Sequence, residues 1–140
     1  MGWMLRGIDD DTRPFVGRRA IRRELADNTS RWATVGIVAD WQDWDQLHRR
    51  LGLLPPKDER PLPYESMLYD DAGAQVGYAT AFMYSPVLQR HIGMARVRPD
   101  VAAPETELRL EIAISHHNER VRCQTARLPL FNPERKAATP

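Results

Sequence analysis

Residues 75–97 constrain the fold more than any other stretch, because they have the pattern of two β-strands separated by a proline. Large and small side chains alternate along the first half, and a period of two places successive side chains on opposite faces of a sheet. The larger set, expected on one face, is Val76, Tyr78, Thr80 and Phe82. Gly77 belongs to the alternating set of small residues, and a glycine within a strand marks a bulge or the close approach of another backbone. Pro86 cannot donate to a strand partner and ends the first strand, so residues 92–97 form the second.

Two shorter segments upstream also have strand character. Residues 32–39 are rich in apolar and β-branched side chains, which favour a pleated, half-buried conformation. Residues 66–69 are followed by Asp-Ala-Gly at 71–73, a turn sequence that predicts a hairpin with the central stretch.

The most regular alternation lies in residues 107–115. The side chains predicted to face the core are Leu108, Leu110, Ile112 and Ile114. Residues 116–118 are expected to form a turn, and residues 119–128 to return antiparallel to the first strand. The inward positions of the returning strand are then Val121, Cys123 and Thr125.

An N-terminal helix is predicted over residues 17–26. Its apolar positions recur at helical spacing, at Val16, Ala20, Ile21 and Leu25. The opposite face carries the basic residues Arg18, Arg19, Arg22 and Arg23. Such a face can bind phosphate or polyglutamate, but a solvated face partly paired with Glu24 and Asp27 is the interpretation we favour.

A second helix is predicted over residues 40–51, with Asp40 as its N-cap and Gly52 at its end. Its apolar stripe comprises Trp41, Trp44, Leu47, His48 and Leu51. Two tryptophans on one stripe could stack on a flat ligand such as a pterin. Burial of the stripe against a sheet is the more common arrangement, and we favour it here.

These elements predict a mainly β chain with a six-strand antiparallel barrel or jelly roll, one N-terminal helix and one inserted helix. A length of 140 residues fits one ordinary domain. The proline-rich residues 54–63 have no periodicity and are expected to form an exposed connection.

No residue pattern in the chain is typical of a catalytic centre. His116 and His117 are adjacent and lack the further convergent ligands of a zinc site, so we expect no metal. Cys123 is expected to be a small core residue, and the paired aspartates at 9–11 and 70–71 to stabilise turns. Sequence reasoning therefore assigns no catalytic residue.

Several short motifs, in order, resemble the C-terminal barrel domain of the glycine cleavage system T-protein, an aminomethyltransferase. The positions in the central stretch are Gly77, Thr80, Ser85, Pro86, Ala95 and Val97. Further matches are Gly2-Trp3, the run at residues 15–21 and the ending Pro129-Leu130-Phe131-Asn132-Pro133. The family usually has Thr-Ser-Gly where this chain has Thr80-Ala81-Phe82, a departure that would change the local loop.

The resemblance implies three parts: residues 1–30 as the end of a preceding domain, residues 31–133 as the barrel and residues 134–140 as a tail. It implies tetrahydrofolate as the cofactor of the complete enzyme, with the catalytic acid in an N-terminal part that these residues do not include. The segment after the last strand would approach that cofactor. Its candidate binding residues are Phe131, Asn132 and Arg135; a simple C-terminal strap across the barrel is the alternative.

The functional hypothesis is the barrel portion of an aminomethyltransferase-like, folate-dependent one-carbon transferase, inactive alone. Its partner would be a separate chain carrying the N-terminal folate-binding domain, or a second copy in a homodimer. The alternative is a free-standing barrel that binds a small ligand. A net charge of +1 argues against bulk electrostatic binding to nucleic acid, and no apolar run is long enough to cross a membrane. A single cysteine and the lack of a signal peptide predict a cytoplasmic protein.

Overall fold

The structure, a computed structural model, describes residue 5, residues 7–9 and residues 14–133. Two helices and six strands form within these residues. In chain order they are α1 Arg18–Asp27, β1 Ala33–Ala39, α2 Trp41–Arg50, β2 Ser66–Tyr69, β3 Gln75–Ser85, β4 Arg90–Val97, β5 Glu107–Ile114 and β6 His117–Ala126.

The six strands close into one antiparallel barrel in the order β1-β4-β3-β2-β5-β6. β1 closes it, since it pairs with β4 along one edge and with β6 along the other. α1 precedes the barrel and α2 lies between β1 and β2. The predicted fold class, a mainly β six-strand barrel with an N-terminal and an inserted helix, is therefore confirmed.

The core is the barrel interior, and the regular strands fill it as the alternation predicts. Leu108, Leu110, Ile112 and Ile114 are all buried in β5, and Val121, Cys123 and Thr125 are buried in β6. These side chains join the inward residues of the other strands and of α2 in a single hydrophobic cluster. A closed barrel of this size holds packed side chains in its interior.

The central strand β3 departs from simple alternation at Thr80. Ala79 pairs with Ala95 and Ala81 pairs with Met94, so Thr80 is an extra residue opposite β4. A bulge of this kind reverses which residues point inward. The prediction that Tyr78 and Thr80 share a face with Val76 and Phe82 is wrong: Val76 and Phe82 are buried, Tyr78 is half-buried and Thr80 is exposed. A second register shift, between β2 and β3, leaves Val76 as an extra residue opposite β2.

Gly77 marks a close approach of two backbones, as its position in the strand predicts. A Cβ at this residue would clash with the carbonyl oxygen of Arg96 and lie 2.8 Å from the Cα of Val97. Glycine therefore allows β3 and β4 to meet at this point of the barrel.

The β5–β6 turn differs by about two residues from the prediction. Ile114 pairs with His117, so Ser115 and His116 form a two-residue turn with positive φ at both positions. His117 and Asn118, predicted to belong to the turn, are the first residues of β6. Right-handed strand twist favours such tight turns in hairpins.

The proline-rich loop of residues 54–63 covers a strand edge as well as connecting two elements. β2 pairs with β3 only as far as Ala79, which leaves the second half of β3 without a strand on that side. The N–H of Leu62 donates to the carbonyl of Phe82, and the N–H of Tyr84 donates to the carbonyl of Asp58, both at 2.9 Å. The loop thereby satisfies backbone groups that would otherwise form an open edge.

Candidate functional site

Helix α2 is fixed at its N-terminus by two carboxylates. Asp40 accepts a hydrogen bond from the N–H of Asp43 at 2.9 Å, which confirms it as the N-cap. Asp43 in turn accepts from the N–H of Arg122 in β6 at 2.7 Å. The Arg122 guanidinium lies 3.5 Å from Asp43 and 3.7 Å from Asp40. These contacts hold the start of α2 against the barrel.

The buried face of α2 joins a cluster of rings on the barrel. The Trp44 ring centroid lies 4.1 Å from that of His91 and 5.8 Å from that of Phe82. Trp44, Leu47 and His48 are all buried, which confirms burial of this part of the stripe. Trp41 differs: it stacks on His91 at 6.0 Å yet remains 37% exposed.

His91 is the least expected member of this cluster. Burial lowers its pKa to about 4, against a smaller opposing effect of the Pro56 carbonyl, so the ring is neutral at neutral pH. Its Nδ1 and the Nε1 of Trp44 are buried, and the described residues offer neither atom a hydrogen-bond partner. Sequence reasoning missed His91 because a single histidine on a strand carries no periodic signal.

Phe82 occupies a strand, although the family pattern suggested a loop at this position. It lies within β3, is 2% exposed and contacts Trp44. The large ring therefore fills the space between the barrel and α2. In this chain the segment is not a loop, because Thr80 forms a bulge and the strand continues to Ser85.

A cleft of about 540 Å³ lies beside the start of α2. Its charged lining residues are Asp40, Arg90, Glu107 and Arg122, and Trp41 contributes a ring. Because Arg122 is paired with Asp40 and Asp43, the positive charge at this cleft is largely neutralised. The cleft is lined by only one of the two α2 tryptophans, since Trp44 is in the core. The alternative hypothesis, a free-standing barrel that binds a small ligand between both tryptophan rings, therefore loses its main support.

The segment after β6 returns across the outer surface of β1. A Cβ at Gly36 would lie 3.0 Å from Cγ of Leu130, so this glycine makes room for the leucine. The next two residues, Phe131 and Asn132, are exposed, and Phe131 is 42% exposed. Arg135, the third candidate, lies outside the described residues. Phe131 and Asn132 therefore face solvent beside the barrel, available to a ligand or a neighbouring domain.

Helix α1 buries none of its residues. Of its predicted apolar stripe, Val16 is fully exposed and Leu25 is 50% exposed, while Phe15 beside them is 49% exposed. The arginine face is partly paired: Arg22 lies 3.1 Å from Asp9, and Arg23 lies 3.6 Å from Asp27. Helix α1 thus presents apolar surface that the described residues leave uncovered.

Cys123 and the aspartates at 70–71 have structural environments, whereas Asp10 and Asp11 of the other predicted turn lie outside the described residues. Cys123 is 1% exposed, and burial raises the pKa of its thiol to about 12, as expected of a small core residue. Asp70 accepts a hydrogen bond from the N–H of Ala74 across the β2–β3 turn at 2.9 Å. Asp71 lies 3.4 Å from Arg109. Within the described ranges, no cluster of three or more potential metal ligands occurs.

None of the described helices has the length and apolar character that crossing a bilayer requires.

Comparisons with known proteins agree with this architecture. Residues 48–132 match the family described as the glycine cleavage T-protein C-terminal barrel domain. Among solved structures, the chain is similar to the glycine cleavage system aminomethyltransferase T from Bartonella henselae, with a TM-score of 0.58 and 18% identity. That match covers 84% of this chain and 26% of the other, so the chain spans about a quarter of that protein's length. No curated protein matches the sequence.

Proposed function

The chain belongs to the glycine cleavage T-protein C-terminal barrel domain family, and on that premise we propose that it is the barrel portion of a tetrahydrofolate-dependent one-carbon transferase. The family match of residues 48–132 carries this proposal. The similar structure is named an aminomethyltransferase, and the match covers only 26% of its length, which supports a role as one part of a larger catalytic unit.

In this proposal the barrel completes a folate site and does not perform the chemistry. The state of the single cysteine is consistent with this role, because Cys123 is buried and burial raises the pKa of its thiol to about 12. The catalytic acid is supplied by a domain beyond these 140 residues, either in a longer polypeptide or in a separate chain. The same proposal places the protein in the cytoplasm.

The segment after β6 is the part of the barrel that reaches the folate. Phe131 offers an exposed ring, and Asn132 offers an amide that has no hydrogen-bond partner among the described residues. Arg135 follows in the sequence and supplies a guanidinium that can pair with a carboxylate. Leu130 anchors this segment on Gly36, so its position relative to the barrel is fixed.

Helix α1 forms the contact with the domain that carries the rest of the site. In the proposed organisation residues 1–30 continue a preceding domain and residues 31–133 form the barrel. The exposed side chains of Phe15, Val16 and Leu25 are then covered by that domain or, in its absence, by a second copy of the chain. An uncovered apolar surface of this kind is typical of an interaction site.

Two measurements test the proposal. Purified chain should show no amine- or ether-demethylating turnover with tetrahydrofolate, and turnover by the chain alone would contradict the proposal. Sedimentation should show association through α1 that is abolished by Val16→Asp and Leu25→Asp. The matched control is Val87→Asp, because Val87 is 67% exposed on the β3–β4 turn and lies outside α1.

A further inference from the structure

The outer surface where β1, β3 and β4 meet carries arginine and aromatic side chains in alternation. The Arg31 guanidinium lies 5.2 Å from the ring centroid of Trp32. Trp32 packs edge-to-face on Tyr78 with centroids 5.6 Å apart, and the hydroxyl of Tyr78 accepts from Arg96 at 3.5 Å. We call these four residues the Arg–aromatic face. Their order in space is not evident from the sequence, because they come from the segment before β1 and from strands β3 and β4.

The Arg–aromatic face borders a cleft of about 620 Å³. Arg31, Trp32 and Tyr78 line it directly, together with the backbone of Gly77. Arg98 also lines the cleft, but both ends of its guanidinium bond to Asp100, at 3.0 and 3.2 Å, so its charge is compensated.

The two remaining arginines have no such compensation. Within the part of the chain that the structure describes, no carboxylate lies at ion-pair distance from Arg31 or Arg96. Both side chains are exposed, while Trp32 and Tyr78 are half-buried and held by their neighbours. The result is fixed ring surface beside two positive charges that have no carboxylate partner among the described residues.

We propose that this cleft binds a nucleotide, free or within a single strand. Aromatic rings accept a base by stacking, and guanidinium groups pair with phosphate through parallel N–H donors. Trp32 and Tyr78 provide the ring surface, and Arg31 provides a phosphate contact within the cleft. Arg96 does not line the cleft but lies at its edge, 3.5 Å from the Tyr78 hydroxyl, where it can reach a phosphate that extends from the bound base. The cleft volume is of the size that small-molecule sites have, roughly 300–1,000 Å³.

The near-neutral net charge does not conflict with this site. A charge of +1 argues against binding along a long polyanion, whereas a single nucleotide needs only the local pair of arginines. Arg31 also lines the groove beside α1, together with Arg19 and Arg23. Glu24 and Asp27 also line this groove, and Arg23 pairs with Asp27 at 3.6 Å, so Arg19 is the further positive charge that a longer strand would meet there.

The test is titration calorimetry of the purified chain with adenosine monophosphate, adenosine and a single-stranded oligonucleotide of about eight nucleotides. Trp32→Leu should weaken binding of adenosine monophosphate about 5- to 150-fold, since one stacked base is worth 1–3 kcal/mol. Trp32→Phe retains a ring and should retain most of the affinity. Arg96→Gln should weaken adenosine monophosphate and leave adenosine unchanged.

Arg120→Gln is the matched control, because Arg120 also lies over a tyrosine ring, at 3.6 Å from the centroid of Tyr69. It differs in having a carboxylate partner, Glu111, at 3.8 Å. Binding that requires Trp32 and Arg96 but tolerates Arg120→Gln supports the proposal. If the oligonucleotide binds more tightly than adenosine monophosphate, the ligand is a nucleotide within a single strand. If the two bind equally, the ligand is a free nucleotide.

Absence of binding by all three probes, or binding that Trp32→Leu leaves unchanged, would overturn the proposal. Circular dichroism and the melting temperature of each variant separate loss of binding from loss of fold. No folate or second domain enters these measurements, so the outcome is independent of the proposed transferase role.

Discussion

Replacement of Trp44 by alanine should destabilise the barrel more than any change on the exposed side of α2. Trp44 is 5% exposed and packs on His91, His48 and Phe82, with ring centroids 4.1, 4.7 and 5.8 Å away. Truncation of a buried tryptophan to alanine costs about 3–5 kcal/mol. Because a domain of this kind is stable by only about 5–15 kcal/mol, Trp44→Ala should remove a large fraction of the unfolding free energy.

Trp41→Ala is the matched control on the same helix. Trp41 is 37% exposed, and its contacts are a stack on His91 at 6.0 Å and Lys57 at 5.6 Å. Loss of these contacts should cost about 1 kcal/mol. Urea unfolding followed by circular dichroism measures both values. Equal losses of unfolding free energy in the two variants would refute the assignment of Trp44 to the core and of Trp41 to a partly exposed position.

Trp44→Phe separates packing from hydrogen bonding at the same position. The Nε1 of Trp44 is buried without a partner, and a buried polar group in that state costs about 1–3 kcal/mol. Removing it offsets part of the lost ring contact, so we expect a net cost of about 1 kcal/mol or less. A cost as large as that of Trp44→Ala would contradict this reasoning.

Three further predictions follow from the same core. Burial lowers the pKa of His91 from 6.5 to about 4, so the unfolded chain binds more protons than the folded chain between these pH values. The free energy of unfolding should therefore be highest above pH 6.5 and fall by about 3 kcal/mol as the pH drops to 4. His91→Phe should reduce this pH dependence in urea titrations. Burial raises the pKa of Cys123 to about 12, so a thiol reagent at pH 8 should react only after unfolding, and rapid reaction of the native chain would contradict its burial. Gly77→Ala should cost about 1–3 kcal/mol in thermal unfolding, because the added Cβ meets the Arg96 carbonyl, and an unchanged melting temperature would rule out that close approach.

The parts of the fold that sequence reasoning predicted are those in which local pattern and burial agree. Strand β5 alternates with a strict period of two, and its four apolar side chains all face the core. Helix α2 has a capping aspartate, an apolar stripe and a terminal glycine, so its position was predictable within a residue or two. Each of these signals is contained within about ten residues of chain.

The parts that were not predictable depend on contacts between distant segments. The bulge at Thr80 reflects the register of β3 against β4, which alternation within β3 cannot define. The burial of His91 results from α2 packing on β4, and the cover of β3 by the proline-rich loop results from the short length of β2. The role of Phe131 and Asn132 stays a prediction, because it concerns a ligand and a domain beyond the barrel.

Titration of the purified chain with tetrahydrofolate, with turnover assayed in the same sample, shows whether the barrel forms part of a folate site. We expect weak saturable binding, reduced by Phe131→Ala and Asn132→Ala, without one-carbon transfer. Val87→Ala serves as the control, because Val87 is exposed on a different surface and should leave binding unchanged. Turnover by the chain alone, absence of binding, or binding indifferent to both substitutions after β6 would contradict the account.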